Sequence, residues 1–169
     1  MSRLTGKEVT IGYGDRVIVD NLDVAIPDGA ITSIIGPNGC GKSTLLKALS
    51  RLLNTKSGEI YLDGKNIHVQ STKEIAKKIA ILPQSPDVAD GLTAGELVSY
   101  GRFPHQKGFG RLNEEDKKAI DWAMRVTGTI DFKHRAVNDL SGGQRNVFGL
   151  RWRSHKRQTL FFLMNQQRI

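Results

Sequence analysis

The chain has very little cysteine and no long apolar run, and each scarcity excludes a class of protein. Cys40 is its single cysteine among 169 residues, so it cannot be a disulfide-stapled domain. No stretch approaches the roughly 18 apolar residues that cross a membrane, so attachment to a membrane requires a partner. The first residues contain no apolar signal segment, so we expect no secretion. The four histidines are scattered, and no His/Cys cluster predicts a metal site.

The positive charge is concentrated at one end of the chain. The net charge is +8, yet residues 146–169 hold five basic and no acidic residues, which leaves +3 for residues 1–145. Basic residues that are confined to a tail are weak evidence for a basic surface that binds the phosphate backbone of a nucleic acid. We therefore expect no nucleic-acid partner.

Residues 36–44 fit the pattern G-x-x-x-x-G-K-[ST] of a phosphate-binding loop, or P-loop. The loop consists of Gly36, Pro37, Asn38, Gly39, Cys40, Gly41, Lys42, Ser43 and Thr44. The apolar run 31–35 before it predicts a buried strand. Residues 42–53 after it have apolar positions at helical spacing. The predicted order of strand, loop and helix is the one that a P-loop requires.

The chemistry of this loop suits a nucleoside triphosphate. Its glycines allow backbone N–H groups to turn toward phosphate oxygens, and the helix N-terminus adds partial positive charge. Lys42 can reach the β- and γ-phosphates, and the Ser43 hydroxyl can bind Mg²⁺. We therefore expect this loop to bind ATP or a related nucleotide with magnesium.

A second glycine-containing segment lies at residues 140–144, with the sequence LSGGQ. Ser141 and Gln144 form a capping box, which predicts that a helix begins here. The two glycines between them, Gly142 and Gly143, allow close backbone approach. Together with the P-loop, this segment resembles the signature of the ATP-binding-cassette (ABC) family.

The resemblance extends over residues 7–145 and implies roles for further residues. Tyr13 matches the aromatic residue that stacks on adenine, although a strand tyrosine that packs on a neighbour remains an alternative. Gln84 matches the Q-loop glutamine, which in the family meets Mg²⁺ and the attacking water. Residues 141–144 match the segment that contacts ATP on a second, usually identical, ATP-binding subunit. Transmembrane permease subunits are the other implied partners.

The implied fold class is α/β, a P-loop NTPase of the ABC nucleotide-binding type with a helical subdomain. We assign residues 1–85 to the ATP-binding core, 86–145 to the helical subdomain and 146–169 to an aberrant tail. Strands are predicted near 7–11, 22–26, 58–62 and 79–83. Helices are predicted from Ser71, Thr93 and Asn113, with Glu74 and Glu96 as box partners of the first two and Gly128 ending the third.

The segment GRFPHQ at 101–106, with GPNGCGK in the P-loop, resembles importers of iron–siderophores, haem and vitamin B12, and iron–siderophore importers above all. The resemblance implies a peripheral position on the cytoplasmic face of the membrane, held by the permease. A periplasmic or lipoprotein substrate-binding protein would be an indirect partner. Iron does not contact this type of subunit.

Residues 146–169 depart from the family. An apolar strand ending in Asp-Glu (Walker B) and a switch histidine should follow, and neither is present; His155 follows Trp-Arg-Ser and is not assigned. A valid codon choice for this tail, read in an adjacent frame, gives RLWIAMALAQKTDTIFLDEPTTY, which is the expected continuation. We therefore infer a frameshift after Arg145 and expect a tail that is not selected for structure.

Two functions follow from these observations. The chain is the ATPase subunit of an iron–siderophore importer, or it is a non-catalytic nucleotide-binding remnant or pseudogene product. ABC ATPases of DNA repair and chromosome structure are disfavoured, because residues 45–139 leave no room for their long coiled coils. In either case we expect this copy not to hydrolyse ATP.

Overall fold

The computed structural model describes residues 2–82, 91–106, 111–140 and 160–163. The chain forms two compact units, Met1–Ile75 and Ala76–Ile169. The predicted boundary between residues 85 and 86 lies outside the described residues, and so it stays a prediction.

An antiparallel sheet forms most of the first unit. Its four strands are β1 (Ser2–Tyr13), β2 (Arg16–Pro27), β3 (Ser57–Leu62) and β4 (Lys65–Asn66), in the order β2-β1-β3-β4. Thr5 of β1 lies opposite Ala25 on one side and Tyr61 on the other, which fixes the register. The predicted strands near 7–11, 22–26 and 58–62 are therefore confirmed, and the first two are longer than predicted.

Helix α1 (Lys42–Leu49) packs on this sheet and closes the core of the first unit. The core side chains are nearly inaccessible: Leu4, Val9, Ile11, Ile26, Leu45, Ala48, Leu49, Ile60, Leu62 and Ile67. The helix ends before the predicted Leu53. The Ser50 hydroxyl donates to the Leu46 carbonyl (2.6 Å), and Arg51 has a left-handed φ of 61°, so the chain turns away and exposes Leu52.

The predicted buried strand at residues 31–35 is wrong. The structure has no strand there, and Ile31 and Ile35 are 98% and 92% exposed. A strand that is buried on both faces needs parallel neighbours, and none of the strands in the described ranges pairs with this run. The apolar sequence is therefore present without the ladder that would bury it.

Helix α2 (Thr72–Lys78) begins as predicted at Ser71, whose hydroxyl accepts a hydrogen bond from the Glu74 amide (3.2 Å). Strand β5 (Ile79–Leu82) follows and confirms the predicted strand as far as Leu82, while Pro83 lies outside the described residues. It pairs in parallel with β6 (Leu160–Leu163). The tail thus contributes a strand, because four consecutive apolar residues can pair with an existing strand whether or not they were selected for it.

In the described residues between 91 and 140 the second unit is mainly helical, as predicted for 86–140. It contains α3 (Ala94–Ser99), α4 (Glu114–Val126) and 3-10 segments at Tyr100–His105, Ile130–Phe132 and Val137–Asp139. Its core consists of Ala94, Val98, Ile120, Met124 and Leu140, with Leu112, Ile130 and Phe132 packed around them. None of the helices in the described ranges has the length and hydropathy of a membrane span.

Both predicted caps of this unit are confirmed. Thr93 and Glu96 form a reciprocal capping box at α3. The Thr93 amide and then its hydroxyl hold the pKa of the Glu96 carboxyl below its ordinary value, so this contribution to stability is present at neutral pH and is lost as the pH falls through the lowered pKa. Asn113 caps α4 with Asp116 as its box partner, and Gly128 ends the helix with a φ of 65°.

Asp116 also anchors the 3-10 segment Tyr100–His105 to α4. Its carboxylate accepts from Arg102 Nε (2.8 Å) and from the Asn113 amide (3.2 Å), and the residue is 1% exposed. A buried carboxylate with both a guanidinium and a helix amide as donors is costly to remove, because the cationic partner stays behind.

We expect Asp116→Ala to lower the free energy of unfolding by about 3 kcal/mol, from the lost cap and the unpaired Arg102. Urea unfolding followed by circular dichroism measures this change. Glu114→Ala is the matched control: it removes an exposed ion pair with Lys117 in the same helical turn and should leave the free energy of unfolding close to that of wild type. Equal losses in the two variants would contradict the anchoring role of Asp116.

Candidate nucleotide-binding site

The P-loop has the backbone turns that its glycines predict. Gly39 and Gly41 have φ values of 83° and 97°, in the left-handed region that other residues avoid. The Cys40 amide donates to the Pro37 carbonyl (3.4 Å) inside the loop, and the Leu45 amide donates to the Gly41 carbonyl (2.8 Å) as α1 begins. The loop therefore ends in a helix start, although the predicted strand before it does not form.

The first turn of α1 presents unpaired backbone donors. No protein acceptor within the described ranges takes the amide hydrogens of Lys42, Ser43 or Thr44. Such amides at a helix N-terminus carry partial positive charge and are suited to anionic oxygens. This arrangement supplies the phosphate-facing donors that the sequence pattern predicts.

The Lys42 ammonium is held inside the loop. It donates to the carbonyls of Gly36 (2.7 Å) and Pro37 (2.6 Å), and its third contact is Cys40 Sγ at 3.7 Å. A thiol sulfur is a weak acceptor, so a phosphate oxygen would replace that third contact readily. Two carbonyls thus fix the charge in position, and the remaining donor is available for an anion.

Ser43 follows Lys42 and is half-buried at the helix start. Its hydroxyl has no hydrogen-bond partner in the described part of the chain, so its oxygen is free to bind a hard cation such as Mg²⁺. No group of three or more His, Cys, Asp or Glu side chains within the described ranges could hold a metal ion by itself. A magnesium ion here would take Ser43 as a ligand together with phosphate oxygens and water, and the family resemblance adds Gln84.

Tyr13 ends β1 beside the hairpin turn and is 48% exposed. Its ring is therefore not enclosed by neighbours, which favours a stacking platform over a packing role. The hairpin's second strand also approaches the P-loop: a Cβ placed on Gly41 would lie 2.9 Å from Val19 Cγ2 and 3.1 Å from Ile18 Cγ2. Gly41 is thus required by close packing of the loop on β2 as well as by its backbone angles.

One side chain near Tyr13, that of Lys56, could not have been linked to the candidate site from the sequence. The Lys56 ammonium donates to the carbonyl of Gly14, at the hairpin turn next to Tyr13. The two residues are 42 positions apart, so no local pattern could have indicated the contact. Lys56 thereby stabilises the hairpin turn that follows Tyr13.

Two predicted parts of the site lie outside the described residues. These are Gln84 and the signature residues Ser141, Gly142, Gly143 and Gln144. The structure describes the chain up to Leu82, two residues before Gln84, and up to Leu140, immediately before Ser141. The roles of Gln84 and the signature remain predictions.

Comparison with known proteins agrees with this geometry. The family model described as "ABC transporter" matches residues 19–163. The chain is 58% identical over 145 residues to the iron(3+)-hydroxamate import ATP-binding protein FhuC of Bacillus subtilis, covering 86% of this chain and 54% of that protein. It is 47% identical over 145 residues to the ferric enterobactin transport ATP-binding protein FepC of Escherichia coli, again covering 86% of this chain and 54% of the relative.

A solved structure shows the same fold. The cbiO1 protein of Clostridium perfringens, part of the ABC transporter complex cbiONQ, superposes with a TM-score of 0.72 at 27% identity, covering 89% of this chain and 60% of that one. The chain spans about half the length of the curated relatives that it matches. Its described part is accordingly a portion of a P-loop nucleotide-binding domain, and the chain belongs to the ABC transporter family of ATP-binding proteins.

Proposed function

We propose that this chain derives from the ATP-binding subunit of an importer of iron–siderophore complexes, in which ATP binding and hydrolysis drive uptake. The observation that carries the proposal is the P-loop, with its fixed Lys42 ammonium and unpaired helix amides. The siderophore assignment is supported by the 58% identity to a protein named for iron(3+)-hydroxamate import.

The ligand we propose is ATP with Mg²⁺. Residues 36–44 hold the phosphates, Tyr13 stacks on the base, and Ser43 and Gln84 bind the metal ion. The exposed Tyr13 ring and the available Ser43 oxygen support these roles. Residues 141–144 would contact the ATP of a second ATP-binding subunit, as the family resemblance implies.

The permease, we infer, docks on the helical unit. Two aromatic side chains of the 3-10 segment, Tyr100 and Phe103, are 46% and 61% exposed and pack edge to face with ring centroids 6.0 Å apart. Tyr100 lines a cavity of about 360 Å³ together with Ile79, Leu97, Arg102 and Pro104. Exposed aromatic side chains beside an apolar cavity are typical of protein contacts. Through them the subunit would lie on the cytoplasmic face of the membrane.

The second candidate function is a nucleotide-binding remnant that does not hydrolyse ATP. It is favoured by one observation, since residues 146–169 contain no Asp or Glu where the family has its Walker B carboxylates. The two proposals agree on ancestry and ligand, and they differ in whether this copy can energise transport.

Uptake of ⁵⁵Fe-labelled ferric hydroxamate in cells that lack their own ATP-binding subunit tests the proposal. We expect a frame-restored gene to return uptake when it is expressed with the cognate permease, and the 169-residue chain to give only background. Ferric enterobactin and ferric citrate serve as substrate controls. Uptake of neither hydroxamate nor any other ferric siderophore by the restored protein would contradict the importer assignment.

A further inference from the structure

Tyr13 lies between two glycines, so its own stretch of backbone does little to hold its ring in place. Gly12 precedes it in β1, and Gly14 follows it in the hairpin turn with a left-handed φ of 51°. Glycine loses more conformational freedom on folding than any other residue. A ring in this setting therefore needs a contact from elsewhere in the chain if it is to be ordered before a base binds.

Lys56 contacts both glycines. Its ammonium donates to the Gly14 carbonyl. The end of its methylene stem lies against Gly12, where an added Cβ would be 3.0 Å from Lys56 Cε and 2.0 Å from the Arg16 carbonyl oxygen. Any larger residue at position 12 would therefore displace the Lys56 stem and the opposite strand of the hairpin.

The backbone of Lys56 is itself fixed on β1. Its amide donates to the Thr10 carbonyl (2.8 Å), and the next residue, Ser57, begins β3 and pairs with Thr10. The sheet therefore holds the backbone of Lys56 while the side chain extends to the Gly14 carbonyl. Lys56 thus joins the start of β3 to the turn that follows Tyr13.

We propose that Lys56 is a positioning residue for the nucleotide base: by holding Gly12 and Gly14 it keeps the Tyr13 ring ordered for stacking. This inference rests on the proposed function, in which Tyr13 stacks on the base of ATP. A platform that is ordered in advance lowers the entropy cost of binding. The P-loop has its own cation in Lys42, so Lys56 contributes to the affinity for the base and not to the affinity for the phosphates.

Lys56→Met keeps the apolar stem and removes the ammonium. We expect calorimetry to show an affinity for Mg-ATP lowered about fivefold, because the hydrogen bond that orders the turn is lost. The affinity for inorganic tripolyphosphate with Mg²⁺, which has no base, should not change. Lys56→Arg should restore the affinity for ATP to within about twofold of wild type, since a guanidinium can donate to the same carbonyl.

Lys65→Met is the matched control, because it removes an equal charge from an exposed lysine of the neighbouring strand β4. It should leave the affinities for ATP and for tripolyphosphate as in wild type. An equal loss of both affinities in Lys56→Met, or no loss of either, would overturn the proposal.

A double-mutant cycle with Tyr13 tests whether Lys56 acts through that ring. Tyr13→Ala should itself weaken binding of Mg-ATP, and in that background Lys56→Met should cause no further loss. A loss that is as large without the Tyr13 ring as with it would show that Lys56 acts by another route, and the proposal would be wrong.

NMR relaxation without nucleotide tests the order of the turn directly. In Lys56→Met we expect the order parameters of the Gly12 and Gly14 amides to fall from about 0.85 to below about 0.6, with no change in Lys65→Met. Unchanged order parameters in Lys56→Met would overturn the proposal. Failure of the wild-type chain to bind either ATP or tripolyphosphate would contradict the proposed function instead, and the order parameters would still decide whether Lys56 orders the turn.

Discussion

Lys42→Ala should abolish Mg-nucleotide binding, with affinity lowered by at least about a hundredfold. The ammonium is the only side-chain cation that the structure shows inside the P-loop, and two loop carbonyls hold it there. Alanine removes the positive charge that faces the β- and γ-phosphates and also removes the two hydrogen bonds that orient the loop. Titration with a fluorescent ATP analogue, or calorimetry, measures the loss.

Lys47→Ala is the matched control, because Lys47 lies in the last turn of the same helix and has no place in the loop. It should bind nucleotide as wild type does. Circular dichroism and urea unfolding establish that both variants are folded. Equal nucleotide affinity in wild type and Lys42→Ala would contradict the assignment of residues 36–44 as the nucleotide-binding loop, even though the sequence resembles the family.

Features set by neighbouring residues were predictable from the sequence. The caps at Thr93 and Asn113 involve partners three residues away, so a spacing rule is enough to find them. The turns at Gly39 and Gly41 follow from the glycines themselves. The positions of the P-loop, α3 and α4 could therefore be predicted from the sequence, and the predicted helix ends differ from the observed ones by a few residues.

Features that depend on distant parts of the chain were not predictable in this way. Residues 31–35 have the composition of a buried strand, yet burial requires neighbours that no local pattern supplies, and Ile31 and Ile35 are exposed. The contacts of Lys56 with Gly12 and Gly14 are likewise long-range. In the sequence Gly12 is an ordinary residue of a predicted strand end, and the close approach of Lys56 explains it.

The second large effect concerns hydrolysis, which we expect to be absent from the 169-residue chain. Hydrolysis needs a carboxylate near the attacking water and a group that senses the γ-phosphate. No acidic residue occurs in 146–169, so no side chain of the tail can take the place of the Walker B pair. The loss of such groups lowers the rate on the order of a thousandfold.

The sequence of strand β6 supports the expectation that this chain does not hydrolyse ATP. It pairs in parallel with β5 from Leu160 to Leu163 and ends in leucine. In the adjacent frame the codons of residues 160–163 correspond to TIFL and the next codon to Asp, so the aspartate that the family uses to hold Mg²⁺ would come directly after the strand. The tail thus contributes the backbone of a strand and lacks the carboxylate at its end. Restoring one base after the Arg145 codon should return the Walker B motif and hydrolysis together.

The most direct test of this account is the fate of bound nucleotide. The 169-residue chain and its frame-restored counterpart are incubated with Mg-ATP and the cognate permease, and the nucleotide held by each protein is then separated and identified. We predict that the 169-residue chain holds nucleotide recovered as ATP, with no phosphate above background, while the restored protein yields ADP and phosphate. Phosphate release by the 169-residue chain at a rate comparable to the restored protein, or no bound nucleotide at all, would contradict the account.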